Sequence, residues 1–141
     1  MGHSDTHQKL HGMFNDRDFD AMDAHLDTSF TYEDVPRGLT LHDAAEFKDW
    51  LRGWTTAFSD ARIVAREYLE GSDFSVSLFQ GTGRNDGPFG DLPPTDRNMD
   101  VPYCEIMHYG PGGKVASCQI YYDQVTLLSQ LGHINPTGVT A

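Results

Sequence analysis

The order of apolar and polar residues predicts two short helices, one strand, a long helix and then a run of strands. Apolar residues recur at helical spacing over residues 4–14 and again over residues 19–26. The stretch SFTYEDV, residues 29–35, instead alternates with a period of two, which indicates a strand. Pro36 and Gly38 follow and are expected to end that strand.

The longest predicted helix covers residues 40–60. Thr40 followed by Asp43 resembles a capping box at its start. An apolar stripe at helical spacing follows, which predicts that one broad side of the helix packs on the core. The stripe consists of Phe47, Leu51, Trp54 and Phe58.

The second half of the chain predicts an antiparallel meander. Period-two patterns cover residues 61–70, 73–82, 97–109 and 114–123, and a short helix is expected over residues 124–131. This order predicts a single α+β domain over residues 1–141, in which a curved, mostly antiparallel sheet wraps on the N-terminal helices and leaves a conical cavity. Residues 133–141 are expected to form a frayed tail.

Composition narrows the possible partners of this domain. The formal net charge of −11 disfavours nucleic acid and anionic membranes as partners, and it suits an enzyme that acts on a hydrophobic small molecule. No apolar stretch approaches the roughly 18 residues of a membrane helix, and the N-terminus shows no apolar signal region, so we expect a cytoplasmic protein. Cys104 and Cys118 lack metal-binding spacing and are expected to be buried, reduced thiols.

The faces of the last two strands depend on how the GPGG turn, residues 110–113, pairs them. If Tyr109 lies opposite Lys114, one face combines polar groups with apolar walls, and we expect that face to line the cavity. The opposite face is almost entirely apolar apart from Glu105, so we predict that this face of the sheet contacts a second copy of the chain in a homodimer. The predicted cavity face carries Cys104, Ile106, His108, Val115, Ser117, Gln119, Tyr121 and Asp123.

The segment from residue 79 to residue 132 resembles the SnoaL-like polyketide cyclase group of the NTF2-like superfamily. The resemblance rests on the order and spacing of short pieces rather than on any one of them. Two positions depart from the pattern: Gly83 stands where many relatives have histidine, and Asp96 replaces a glycine. The matching pieces are Gly81-Thr82, the run from Leu92 to Arg97, Gly113-Lys114, Asp123, and Gln130-Leu131-Gly132.

The resemblance implies a cone-shaped, usually dimeric α+β barrel that closes a ring in an aromatic polyketide ester by an intramolecular aldol reaction, without metal or cofactor. The acid/base aspartate of the family falls on Asp123, and a second catalytic position falls on His108. Burial of Asp123 would raise its pKa toward neutrality, where it could both take and return a proton. The residues expected to contact substrate are Tyr121, Gln119, Tyr32, Trp54 and Ile106.

Several of these residues also have simpler explanations. Asp123 directly precedes the last predicted helix and could be its N-cap, and His108 could be an ordinary strand histidine near a turn. Asp34 shares a strand face with Tyr32, but a surface aspartate before Pro36 is the default interpretation.

Other functions also remain open. A hydratase, a hydroxylation partner, or an epoxide-opening cyclase or hydrolase could use the same cavity, the last with Arg66 or Arg97 beside Asp34 or Asp100. The domain could also bind a small ligand without catalysis. His3, His7 and His11 recur every four residues and could bind a metal, but no fourth ligand is evident, so we expect an exposed polar stripe and no metal.

Overall fold

The computed structural model describes residues 2–135 and contains three α-helices, six strands and two short 3₁₀ helices. The predicted frayed tail lies largely outside the described residues. Each strand and helix that was predicted between residues 29 and 131 is present, with boundaries that differ by a few residues. The elements are α1 (His3–Asn15), a 3₁₀ helix (Asp20–His25), β1 (Leu26–Asp34), a 3₁₀ turn (Val35–Arg37), β2 (Leu39–Leu41), α2 (Ala44–Ala57), β3 (Arg62–Glu70), β4 (Phe74–Arg84), β5 (Asn98–Tyr109), β6 (Val115–Tyr122) and α3 (Gln124–Gln130).

The strands form one curved, open sheet in the order β2-β1-β6-β5-β4-β3. Every neighbouring pair is antiparallel except β1 and β6, which run parallel. The predicted α+β class and the mostly antiparallel sheet are therefore confirmed. In the parallel pair, β1 comes from the N-terminal half of the chain and lies beside β6, the last strand of the meander.

Two local predictions were wrong at the start of the chain. The second predicted helix is a 3₁₀ helix that ends at His25, and Leu26 already belongs to β1. Thr40 does not cap the long helix, because it pairs with Glu33 in the short strand β2. The actual cap is Asp43, whose carboxylate accepts a hydrogen bond of 2.8 Å from the backbone N–H of Glu46.

Helix α1 packs on β3 and β4, and α2 packs on β1, so both helices cover the same face of the sheet. The predicted stripe of α2 is buried in this interface. On β5 and β6 most of the buried side chains belong to the apolar face that was expected to contact a second subunit, namely Val101, Tyr103, Glu105, Met107, Cys118, Ile120 and Tyr122. Met99, Tyr109 and Val115 are buried with them.

The predicted assignment of the two faces of the β5–β6 hairpin is therefore wrong. Residues His108 and Asp123 lie on the outer face, with other polar residues of the hairpin. The register also differs, since His108 lies opposite Ser117 rather than Val115. A bulge between His108 and Tyr109 moves Val115 to the buried face, opposite Tyr109. The shift of two residues leaves the other side chains of the hairpin on their original faces, so the reversal comes from helix packing and not from the register.

The two cysteines are free thiols; Cys118 is buried as expected, whereas Cys104 is only half-buried. Burial raises the pKa of Cys118 well above its ordinary value. Within residues 2–135, no helix combines the length and apolar character that a bilayer crossing requires.

Candidate functional site

A small cavity lies between the helices and the inner face of the sheet, with a volume of about 70 Å³. Its walls are mainly aromatic rings. Tyr32 and Trp54, two of the residues predicted to contact substrate, line it. Among residues 2–135, the carboxylate that lines this cavity belongs to Glu105. Other wall residues are Phe14, Trp50, Phe79 and Tyr103.

Glu105 projects from the inner face of β5 into a cluster of buried polar side chains. Its Oε1 atom accepts hydrogen bonds from Nε2 of His7 at 2.9 Å and from Nε2 of His11 at 2.7 Å. Its Oε2 atom accepts a short hydrogen bond from the hydroxyl of Tyr32. All four side chains are buried, with Glu105 itself 5% exposed. The carboxylate is thus fully hydrogen-bonded, as a buried charge must be.

The second ring nitrogen of both His7 and His11 also lies within hydrogen-bond distance of a hydroxyl group. Nδ1 of His7 lies 2.7 Å from the Ser75 hydroxyl, and Nδ1 of His11 lies 3.0 Å from the Tyr68 hydroxyl. The Ser75 hydroxyl lies in turn 2.7 Å from the hydroxyl of Tyr109. The orientation of both rings is therefore determined at both ends.

The cluster favours an ionised Glu105 beside protonated phenols. Burial alone would raise the pKa of Glu105, but the hydrogen bonds and charges of His11 and His7 outweigh it and hold the pKa well below its usual range. Burial, followed by the Glu105 charge, raises the pKa of Tyr32 well above its ordinary value. Burial also lowers the pKa of His7. At neutral pH, Glu105 is a carboxylate and Tyr32 is a hydrogen-bond donor.

A second buried carboxylate, Asp34, braces the aromatic wall of the cavity. It accepts hydrogen bonds from Nε of Arg37 at 2.7 Å, from Nε1 of Trp50 at 3.1 Å and from the hydroxyl of Tyr122 at 2.9 Å. The Arg37 guanidinium lies over the ring of Trp54, 5.4 Å from its centre. The default interpretation of Asp34 as a surface residue is wrong, because its side chain is fully buried.

Asp123 occupies a different environment from the one predicted. It is exposed, and its carboxylate accepts hydrogen bonds from the backbone N–H groups of Val125 (2.9 Å) and Thr126 (3.2 Å), which makes it the N-cap of α3. The hydrogen bonds from Thr126 lower the pKa of Asp123. The prediction of a buried Asp123 with a raised pKa is wrong, and the simpler capping role is confirmed. Its catalytic role stays a prediction.

The remaining predicted residues lie on the outer face of the sheet. Nε2 of His108 is 3.1 Å from Oε1 of Gln119, and His108 is exposed. Tyr121 is 44% exposed, and Ile106 is half-buried opposite Gln119. These four side chains therefore stay together, but the thickness of the sheet separates them from the cavity.

The sequence contained a signal for the buried cluster. His7, Leu10, His11 and Phe14 follow the spacing i, i+3, i+4, i+7, and all four are buried residues of α1. The expected exposed stripe is thus wrong for His7 and His11, while His3 is half-buried and stacks on Tyr109 at 3.9 Å. On the sheet, the corresponding signal was Glu105, a single charged residue on a strand face that is otherwise apolar.

The groups considered for epoxide opening do not meet in the cavity. Arg66 and Asp100 both contact Gln80, at 3.4 Å and 2.8 Å, on exposed positions. Arg97 is also exposed. Asp34 instead forms an ion pair with Arg37. Among the ion pairs within residues 2–135, Arg37 has no second carboxylate partner, so the set of one arginine and two carboxylates is not formed there.

Comparison with known proteins agrees with this architecture. The profile of the SnoaL-like polyketide cyclase family matches residues 4–131. The fold is the ketosteroid isomerase-like (NTF2-like) fold, and the chain belongs to the SnoaL-like polyketide cyclase family. A search of curated protein sequences gave no match.

Three solved structures illustrate the similarity of fold. A protein from Jannaschia sp. CCS1, assigned to the SnoaL-like polyketide cyclases, has a TM-score of 0.84 and 17% identity over 95% of this chain and 93% of the other. AclR from Streptomyces galilaeus, assigned as a hydroxylase, has a TM-score of 0.81 and 16% identity over 94% and 97%. A protein with a ketosteroid isomerase-like fold from Catenulispora acidiphila, in complex with trimethylamine, has a TM-score of 0.77 and 16% identity over 96% and 97%.

Proposed function

We propose that this protein is an acid/base enzyme of the cyclase type, which closes a ring in an aromatic, polyketide-like keto ester by an intramolecular aldol reaction. The observation that carries the proposal is the position of Glu105, a carboxylate that reaches an aromatic cavity and is held in place by three donors. Family membership supports a cyclase-like role in general.

In the proposed reaction, the substrate displaces hydrogen bonds that hold the pKa of Glu105 low, and Glu105 then removes a proton from the carbon between two carbonyl groups of the substrate. The resulting enolate attacks a second carbonyl of the same molecule, so one carbon–carbon bond forms and the charge moves to an alkoxide. Glu105 then returns its proton to that alkoxide, and the net change is an isomerisation. The substrate delocalises the enolate charge itself, and a positioned acid/base group adds roughly 10²–10⁴-fold in rate.

The size of the cavity limits what can bind without a change in the protein. A volume of about 70 Å³ holds a few water molecules, whereas sites for drug-sized ligands are roughly 300–1,000 Å³. An aromatic polyketide therefore requires the aromatic wall to open. Trp50 and Trp54 lie in this wall, so their fluorescence should report such an opening.

The direct test compares ring closure by the unmodified protein with that of Glu105→Gln, using a candidate polyketide keto ester. We expect a loss of about 10²–10⁴-fold in kcat. Glu33→Gln is the matched control, because Glu33 is an exposed carboxylate on β1, and it should keep full turnover. Unchanged turnover by a folded Glu105→Gln protein would end the assignment of Glu105.

The same assay decides the roles predicted for Asp123 and His108. If Asp123→Asn removes turnover in a folded protein while Glu105→Gln retains it, the family-based assignment is correct and ours is wrong. If His108→Gln has no effect, His108 has no part in the reaction. Asparagine is a good N-cap, so Asp123→Asn preserves the start of α3.

The second candidate function is binding of a small ligand without catalysis. Two observations favour it: the cavity is small, and Asp123 points to solvent. Titration of the protein with aromatic polyketides, followed by tryptophan fluorescence, separates the two functions. Saturable binding with no ring closure under any tested condition would support the binding module.

We also propose that the protein is a homodimer through the outer face of the sheet. This face differs from the one first predicted, because the helices cover the other side. It carries partly exposed apolar side chains, including Ile106 and Tyr121. Light scattering should give twice the chain mass, and Ile106→Lys should shift the protein to monomer. A cytoplasmic location stays a prediction, which fractionation of the source cells would test.

A further inference from the structure

We propose that His7, His11 and Glu105 form a binding site for a divalent transition-metal ion. The three side chains come from α1 and β5, and their ligand atoms all lie within 4.8 Å of one another. This departs from the expectation of a metal-free protein. It does not rest on the proposed function, because binding alone tests it.

The distances between the donor atoms suit a common metal ion. Ligand atoms about 2.1 Å from a metal lie about 3.0 Å from each other at an octahedral angle and about 3.4 Å from each other at the tetrahedral angle that Zn²⁺ prefers. The Nε2 atoms of His7 and His11 lie 2.9 Å and 2.7 Å from Oε1 of Glu105. Small movements of the side chains would therefore admit an ion in place of the two hydrogen bonds.

The chemistry of the donors indicates which ions would bind. Two imidazole nitrogens and one carboxylate oxygen suit Zn²⁺, Fe²⁺, Co²⁺ or Ni²⁺, whereas Mg²⁺ and Ca²⁺ prefer sites made of oxygen alone. Three protein ligands would leave coordination positions for water or another small ligand, as in catalytic rather than purely structural metal sites.

The surrounding groups match those that support metal ligands in other proteins. A metal-binding histidine usually donates its second N–H to an oxygen atom, and the hydroxyls of Ser75 and Tyr68 are placed to accept from Nδ1 of His7 and His11. Because a hydroxyl can also donate, these partners tolerate either tautomer of the ring. The hydroxyl of Tyr32 supports the carboxylate in the same way.

An independent observation comes from Ser77, which lies opposite Glu105 in the pairing of β4 with β5. Its side chain is fully buried, and its hydroxyl has no well-aligned hydrogen-bond partner among the described residues, although Tyr68 is nearby. A ligand on the metal, such as water, would supply the missing partner.

The test is titration of the full chain with Zn²⁺ alone by calorimetry, and with Co²⁺ alone by visible absorption. We expect one ion per chain and, for Co²⁺, absorption bands typical of a coordinated ion. His11→Gln should weaken binding by about 100-fold or more, since it removes a ligand. His3→Gln is the matched control, because His3 lies about one helical turn before His7 on α1 and outside the cluster, and this variant should bind like the unmodified protein.

Tyr68→Phe provides a second variant if His11→Gln does not fold. It keeps the ring and removes the hydroxyl behind His11, so we expect binding about 10–100-fold weaker. Two results would overturn the proposal. One is the absence of binding at pH 8 after prolonged incubation. The other is equal binding by the unmodified protein and His11→Gln, which would locate the ion at surface groups.

Discussion

The hydrogen bond between Tyr32 and Glu105 provides the sharpest test of the buried cluster. Tyr32→Phe removes one hydroxyl and leaves the ring, which packs against Phe47 and Trp50 at centroid distances of 4.7 Å and 4.8 Å. The lost hydrogen bond is buried and its acceptor is charged, and such bonds contribute about 1.5–3 kcal/mol. We therefore expect the free energy of unfolding to fall by about 2 kcal/mol, a large part of the roughly 5–15 kcal/mol typical of a domain.

The measurement is urea unfolding of Tyr32→Phe, Glu105→Gln and the double variant, combined in a double-mutant cycle. The coupling free energy should be about 0.5–2 kcal/mol, because Tyr32→Phe removes the donor whereas Glu105→Gln keeps an oxygen acceptor and removes only the contribution of the charge. Tyr121→Phe is the matched control, since Tyr121 is 44% exposed, and it should change stability by less than about 0.5 kcal/mol. A coupling near zero would refute the view that Glu105 is ionised and bound to Tyr32.

Three further predictions concern groups outside this contact. Asp123→Ala should destabilise α3 at pH 7 but not in strong acid. The pKa of Asp123 is lower in the folded state than in the unfolded state, where it is about 3.9. The contribution of Asp123 to the free energy of unfolding is therefore complete above a pH of about 3.9 and disappears as the pH falls through the pKa of the folded state. Unfolding curves at several pH values check this. Asn85→Ala should cost about 2–3 kcal/mol and speed hydrogen exchange in residues 85–97, because this buried amide bonds to Ala57, Gly87 and Thr95. Asp34→Ala should cost about 3 kcal/mol in urea unfolding, because it leaves three donors unpaired.

The order and type of the elements could be predicted because each depends on neighbours in the chain. The stripe of Phe47, Leu51 and Trp54 predicted both α2 and its buried side, and the structure confirms both. Period-two segments predicted β3 to β6 within a few residues. The errors at Thr40 and in the 3₁₀ helix arose where the local sequence is compatible with two structures. Thr40 could be a helix cap or a strand residue, and its pairing with Glu33 of β1 places it in a strand.

The candidate site was less predictable because both faces of the β5–β6 hairpin carry apolar residues. The alternation along a strand predicts which side chains share a face, and this prediction is correct for Gln119, Tyr121 and Asp123. It does not state which face the helices will cover. In the structure β1 pairs with β6 and α1 packs on β3 and β4, so the helices cover the face that carries Glu105, and Glu105 is buried.

The sequence by itself thus determined the α+β order, the helix stripes and the grouping of side chains by face, since these depend on local geometry and on the burial of apolar surface. Only the tertiary structure decided that His7, His11, Tyr32 and Glu105 meet in one buried cluster. Helical spacing relates His7 to His11, but no local pattern relates this pair to Tyr32 or to Glu105, which lies 98 positions from His7. Their contact depends on which face of the sheet the helices cover, and that is settled by the packing of the whole chain.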